Sequence, residues 1–138
     1  MFAPLGRIPG VRLVSLQKGP GAGQIQTLDS PIRIWEPPQS DQMTAQALLD
    51  TAALMKNLDL VISVDTGTCH IAGALGVPVW VPLSAIGEWR WLLHREDSPW
   101  YPTMRLFRQK KLGQWRGVFR RMLRELRLEV GRGKDKCI

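Results

Sequence analysis

Asp59-Leu60-Val61-Ile62-Ser63-Val64-Asp65-Thr66-Gly67-Thr68-Cys69-His70-Ile71-Ala72-Gly73-Ala74-Leu75-Gly76 is the stretch that decides the fold of this 138-residue chain. Leu60–Val64 reads as a buried strand, and a short helix of small residues, Thr68–Leu75, follows almost at once before Gly76 and Pro78 close it. A helix that starts where a parallel strand ends points the free N–H groups of its first turn at the same mouth, and its dipole favours an anion there. Gly67 allows close approach of a ligand, while Asp65 and Thr66 can cap the helix or bond a sugar hydroxyl. His70 lies one turn into the helix. A plain strand-to-helix turn, with Asp65 or Thr66 as cap and His70 half-buried, is the alternative that local features alone leave open.

Outward from this stretch, strand and helix patterns alternate. Val11–Leu16 alternates in polarity and leaves the sheet at Gln17-Lys18-Gly19-Pro20-Gly21. A short helix is expected over Ala22–Leu28, and Pro31–Trp35 is a second strand stopped by Glu36-Pro37-Pro38. Thr44–Asn57 carries Ala47, Leu48, Leu54 and Met55 near helical spacing. Val77–Pro82 is the next strand, Leu83–Thr103 a long loop rich in Trp and Pro, Met104–Phe107 a short strand, and Gly113–Val130 a basic amphipathic helix. The alternation predicts an α/β fold with a parallel sheet covered on both faces. Residues 1–10 read as the end of a linker, 11–130 as one domain, and 131–138 as a polar, basic, disordered tail.

The length suits one domain with a real core. No run of 18 apolar residues predicts a membrane-spanning helix. Met1–Arg7 lacks a charged leader followed by an apolar core, so no secretion signal is expected. Cys69 and Cys137 make neither a disulfide framework nor a zinc ligand set, and a reduced cytoplasmic setting follows as the default. The net charge of +7 is uneven: residues 1–104 hold 7 Lys/Arg against 9 Asp/Glu, and residues 105–138 hold 12 against 3. A basic end can meet nucleic acid, anionic lipid or an acidic partner. Nucleic acid is not the expected partner, because aromatic interleaving is thin and no binding-module signature occurs.

Asp65-Thr66-Gly67-Thr68-Cys69-His70-Ile71-Ala72 is similar to the Asp-Thr-Gly-x-x-His-x-Ala signature of heptosyltransferase-type glycosyltransferases (family 9). The chain also resembles the C-terminal glycosyltransferase-like region of bacterial tetratricopeptide-repeat proteins. That match is carried by Val14–Gly19, Asp50–Leu54, Trp89-Arg90-Trp91-Leu92-Leu93 and Arg95–Gln109, and it spans about residues 1–125. The resemblance implies a three-layer, Rossmann-like domain with helices on both faces of a parallel sheet, the C-terminal, donor-binding half of a two-domain (GT-B) enzyme. It further implies an inverting transfer from a nucleotide-diphosphate sugar, without metal and without a cofactor beyond that substrate. The catalytic base would come from an N-terminal acceptor-binding half not present in these residues, so no catalytic residue is assigned within the chain; that half or a tetratricopeptide region is the expected partner. Activity of the chain alone is expected to be weak or nil. A non-catalytic protein-interaction module, a homodimer included, is the competing expectation.

By this resemblance Lys18, Asp65, Thr66, Gly67, Thr68 and His70 contact the donor's phosphates and sugar. Trp89, Arg90, Trp91, Trp100 and Tyr101 form a lid or a stacking surface for base or sugar, or else anchor a surface loop. Arg90, Arg95 and Arg105 neutralise phosphate or pair with Glu96 and Asp97. Glu36 stands where nucleotide-binding folds often place an acid on the ribose. Gly19-Pro20-Gly21-Ala22-Gly23 fails as a dinucleotide loop, because its third glycine falls one place early and Pro20 stiffens the turn. No Asp-x-Asp sequence is present to hold a divalent ion, so no metal ligands are expected.

Overall fold

The computed structural model describes residues 2–19, 21–27, 32–38, 44–133 and 136–137. Pro20, Leu28, Pro31 and residues 134, 135 and 138 of the expected elements lie outside these. The order is β1 (Val11–Val14), β2 (Ile34–Trp35), α1 (Ala45–Met55), β3 (Val61–Ile62), α2 (Gly67–Ala74), β4 (Val79–Leu83), β5 (Met104–Arg108), α3 (Trp115–Arg132) and β6 (Lys136–Cys137). Short 3-10 turns cover Ala3–Arg7, Ala22–Ile25 and Trp89–Trp91.

Helix boundaries follow from local chemistry. Thr44 is extended and its Oγ1 accepts from the Ala47 amide at 3.1 Å, capping α1. Thr44→Ala is expected to cost about 1 kcal/mol, read as a lower urea midpoint at unchanged slope. At the end of α2, Gly76 takes φ +70°, its amide bonds Gly73 O, and the Val77 amide bonds Ala72 O. Those two bonds satisfy carbonyls the helix would leave open, and the left-handed turn needs glycine.

Every ladder between the named strands is parallel, as expected for an α/β domain of Rossmann-like kind, and Asp97 and Arg105 add an isolated antiparallel bridge. The β4 strand is buried at all five positions because it lies between β3 and β5 with layers on both faces. Val79, Val81 and Leu83 meet Met55 of α1, Cys69 and Ala72 of α2, and Trp91. Trp80 turns the other way, toward Phe107 and the Val118-Met122-Leu126 stripe of α3. Pro82 survives in this central strand because its missing donor faces β3, whose ladder stops at Ile62↔Trp80.

The described residues add detail that the sequence alone does not give. Among the described residues the strands form two three-stranded sheets, β2-β1-β6 and β3-β4-β5. Between β1 and β3 the apolar side chains of Leu13, Val14, Leu60 and Val61 line a cavity instead of a ladder. The strand expected over Leu60–Val64 shrinks to Val61–Ile62, and Val64 is exposed. Within residues 2–10, Leu5 and Ile8 are buried with α3, and Phe2 meets Phe119 edge-on at 4.9 Å. In the stretch expected to be a disordered tail, α3 extends to Arg132 and Lys136–Cys137 runs parallel to Val11–Arg12.

Candidate functional site

The corner after β3 is held from three directions. Asp65 Oδ2 accepts a 2.8 Å hydrogen bond from the indole N–H of Trp91, whose ring is fully buried. His70, one turn into α2, stacks on that indole at 5.2 Å and 21°. Its Nδ1 lies 3.1 Å from the Tyr101 hydroxyl, while its Nε2 faces Asp65 Oδ1 at 3.7 Å, too far for a hydrogen bond. One carboxylate oxygen of Asp65 is therefore fixed by a rigid donor, and the other carries no hydrogen bond among the described residues.

At Thr66 the chain is extended, and α2 begins at Gly67 without a side-chain cap. The Cys69 amide bonds Thr66 O, whereas the amides of Gly67 and Thr68 meet no acceptor among the described residues. These two donors, with the helix dipole behind them, are the features that suit an anion. Thr66 Oγ1 lies 3.3 Å from both Ser63 Oγ and Val64 O.

Two cavities flank the corner. The larger, about 520 Å³, opens between the C-terminal ends of β1 and β3 and reaches Thr66 and Thr68. Its lining includes the polar Ser15, Gln17, Gln24 and Ser63, is otherwise mostly apolar, and holds no charged residue among the described ones. The smaller, about 320 Å³, lies over the ends of β4 and β5 and includes Asp65, Glu88 and Arg108. In open α/β sheets the carboxyl ends of strands are where ligands bind.

Asp65, Thr66, Gly67, Thr68 and His70 thus come together at one corner, but Lys18 does not join them. Its ammonium donates to Ala47 O of α1 at 3.3 Å and does not line either cavity. The lysine sits at a strand end, and the Ala47 carbonyl, which also accepts from Thr51 Oγ1 at 2.8 Å, captures it.

The expected lid divides. Trp91 is core, not a stacking surface, because its indole is wholly buried under the loop. Tyr101 packs on α2 so closely that a Cβ on Gly73 would stand 2.5 Å from its ring. Trp89 and Trp100 are exposed and meet edge-on at 6.4 Å, with Trp100 Nε1 tied to Arg90 O. The arginines take their structural alternative: Arg90 pairs with Glu88, Arg95 with Asp97, and Arg105 with Glu96 and Glu125. The Arg105 guanidinium, with Arg124, holds the Glu125 carboxyl below its ordinary range. Glu36 is exposed beyond β2, and His94 is exposed with φ 43°.

Asp65, Cys69 and His70 place three potential metal ligands within 4.8 Å of one another. The set fits a metal poorly, since the Cys69 thiol is buried, donates to Thr66 O at 3.1 Å, and has its pKa pushed up by burial.

Arg108 and Gln109 escaped the sequence reading. Arg108 ends β5 and bonds the carbonyls of Ser84, Trp91 and Leu92. Gln109 Oε1 accepts from the amides of Ala85 and Gly113, joining the loops after β4 and β5. Only their place at the end of a parallel strand could have flagged them.

Residues 44–81, which build α1, β3, α2 and most of β4, match the model of glycosyltransferase family 9 (heptosyltransferase). Protein FlbA of Caulobacter vibrioides is 33% identical over 129 residues, 92% of this chain. The chain spans 21% of the length of that relative. No solved structure matches the chain. No helix among the described residues is long and apolar enough to cross a membrane. Residues 44–81, the stretch that builds the Asp65 corner, are therefore similar to glycosyltransferase family 9.

Proposed function

We propose that the chain binds the nucleotide-diphosphate sugar of an inverting glycosyl transfer, with the diphosphate at the N-terminus of α2. The observation that carries this reading is the cavity between β1 and β3, which opens onto Thr66 and Thr68 within the segment similar to family 9. Its uncharged, mostly apolar lining suits a base and ribose, and the Gly67 and Thr68 amides suit phosphate oxygens. In the transfer, the bond from the anomeric carbon to the diphosphate oxygen breaks and its electrons stay on the diphosphate. An acceptor oxygen attacks from the opposite face and gives its proton to a base supplied from outside these residues. The helix N-terminus stabilises the charge that grows on the leaving group. Lys18 adds to this only after releasing Ala47 O. Neither a metal nor a cofactor enters this reading, the setting is cytoplasmic, and the acceptor-binding half is the partner it requires.

Isothermal titration with UDP, GDP, ADP and their hexose conjugates tests it. At least one nucleoside diphosphate is expected to bind, and Asp65→Ala to weaken its hexose conjugate about tenfold, the loss of one hydrogen bond from a donor hydroxyl to a charged group. Absence of binding by every nucleotide would end the reading. The isolated chain is expected to transfer sugar poorly or not at all.

A second reading, a non-catalytic interaction module, is favoured by the exposed apolar rim of Ile86, Trp89, Leu92, Leu93 and Trp100. A stable homodimer by light scattering, with no response to any nucleotide, would support it instead.

A further inference from the structure

The smaller cavity differs in kind from the larger one. Both include Val64, and they meet at the Asp65–Thr66 corner. Among the described residues the larger has no charged lining residue, whereas the smaller has two carboxylates and a guanidinium, from Asp65, Glu88 and Arg108. This composition is selective. An anion would meet two carboxylates and a cation would meet Arg108, but a neutral, hydroxyl-rich ring can donate to the former and accept from the latter.

Each of these groups is fixed by the protein and keeps capacity to spare. Glu88 Oε2 accepts from the Arg90 amide at 2.9 Å and from Arg90 Nε at 3.2 Å, leaving Oε1 without a hydrogen bond among the described residues. Asp65 Oδ2 is held by Trp91, and Oδ1 has no hydrogen bond among them either. Arg108 is anchored by three carbonyls and has no carboxylate partner among the described residues; its Nε is buried, so the donor it keeps for a ligand is the second N–H of Nη1. One of those carbonyls belongs to Leu92, a non-glycine residue at φ 49°. Such a conformation is strained, and it persists where the surroundings impose it. Trp115, half-buried, adds an aromatic wall.

We infer that the cavity lined by Glu88, Arg108 and Trp115 is the subsite for the sugar ring of the donor, and that Glu88 and Arg108 read its hydroxyls. The inference rests on the donor-binding reading above. It places the base and ribose on one side of the corner, the diphosphate across the start of α2, and the sugar on the other side. Glu88 and Arg108 hold the sugar and do not enter the bond-breaking step.

The experiment compares each nucleoside diphosphate (UDP, GDP, ADP) with the same nucleotide carrying a hexose, by isothermal titration on the full chain. The conjugate of the preferred nucleotide is expected to bind about tenfold tighter than the diphosphate alone, the worth of one hydrogen bond to a charged group. Glu88→Gln keeps an oxygen for the Arg90 amide, so it is expected to fold normally. It should abolish the added affinity while leaving the diphosphate's own affinity within about twofold. Arg108→Lys is expected to do the same, and circular dichroism confirms that both variants remain folded. If the wild type gains nothing from the sugar, or if both folded variants keep the gain, the subsite is overturned while the donor-binding reading stands. If no nucleotide binds at all, both fall together.

Discussion

Trp91→Ala is expected to destabilise the domain by about 3–5 kcal/mol, the range for emptying a large aromatic site, and to lower its melting temperature by roughly 10–20 °C. The reason is placement. Trp91 is the largest fully buried side chain, and it packs among Met55, Cys69, Val81 and Leu106 beneath the loop from 84 to 103. Its removal leaves a cavity between α2 and β4 and takes away the donor that fixes Asp65. His70 loses the face on which it stacks. Trp91→Phe separates these effects, because a ring stays in the core but the N–H is gone. That variant is expected to cost about 1–2 kcal/mol, the price of one charge-assisted hydrogen bond and part of a ring. Urea denaturation measures both. A loss below about 1 kcal/mol for Trp91→Ala would place the indole outside the core.

This tryptophan also marks the limit of what the chain discloses by itself. The β4 strand, α2 and α3 are legible in the sequence because apolar runs, Gly76 and the α3 stripe are local signals. The corner at Asp65–Thr66 is legible for the same reason, since a strand end and a helix start lie in one short segment. What is not legible is which side chains the corner borrows from far along the chain. Trp91 and Trp100 stand in one aromatic-rich loop, yet one is buried beside Asp65 and the other lies on the surface. Nothing within the loop's own sequence distinguishes them, because the choice is made by the space left between α2 and β4. Lys18 is a similar case: its position at a strand end is visible, but the carbonyl that captures it belongs to α1. The split of the sheet is equally non-local. It depends on how β1 and β3 face each other, and both read as ordinary strands.

Gly67→Val is expected to separate folding from ligand binding at this corner. A Cβ built on Gly67 meets nothing within 4 Å, and the residue does not occupy the left-handed region. The substitution therefore costs the fold little, and losing a glycine reduces the freedom of the unfolded chain. Helical Cβ atoms tilt toward the N-terminus, so the added branch projects over the Gly67 and Thr68 amides, where the diphosphate is placed. Melting temperature is expected to stay within about 3 °C, roughly 1 kcal/mol or less, while nucleoside diphosphate affinity falls about tenfold to a hundredfold. Gly73, six residues on in the same helix, supplies the contrast. A Cβ there would stand 2.5 Å from the Tyr101 ring, so Gly73→Ala is expected to cost about 1–3 kcal/mol by overpacking without touching the anion site directly. Titration and thermal melting on the two variants should thus give opposite patterns. A Gly67→Val protein that binds nucleotide as tightly as wild type would mean that no phosphate approaches the start of α2.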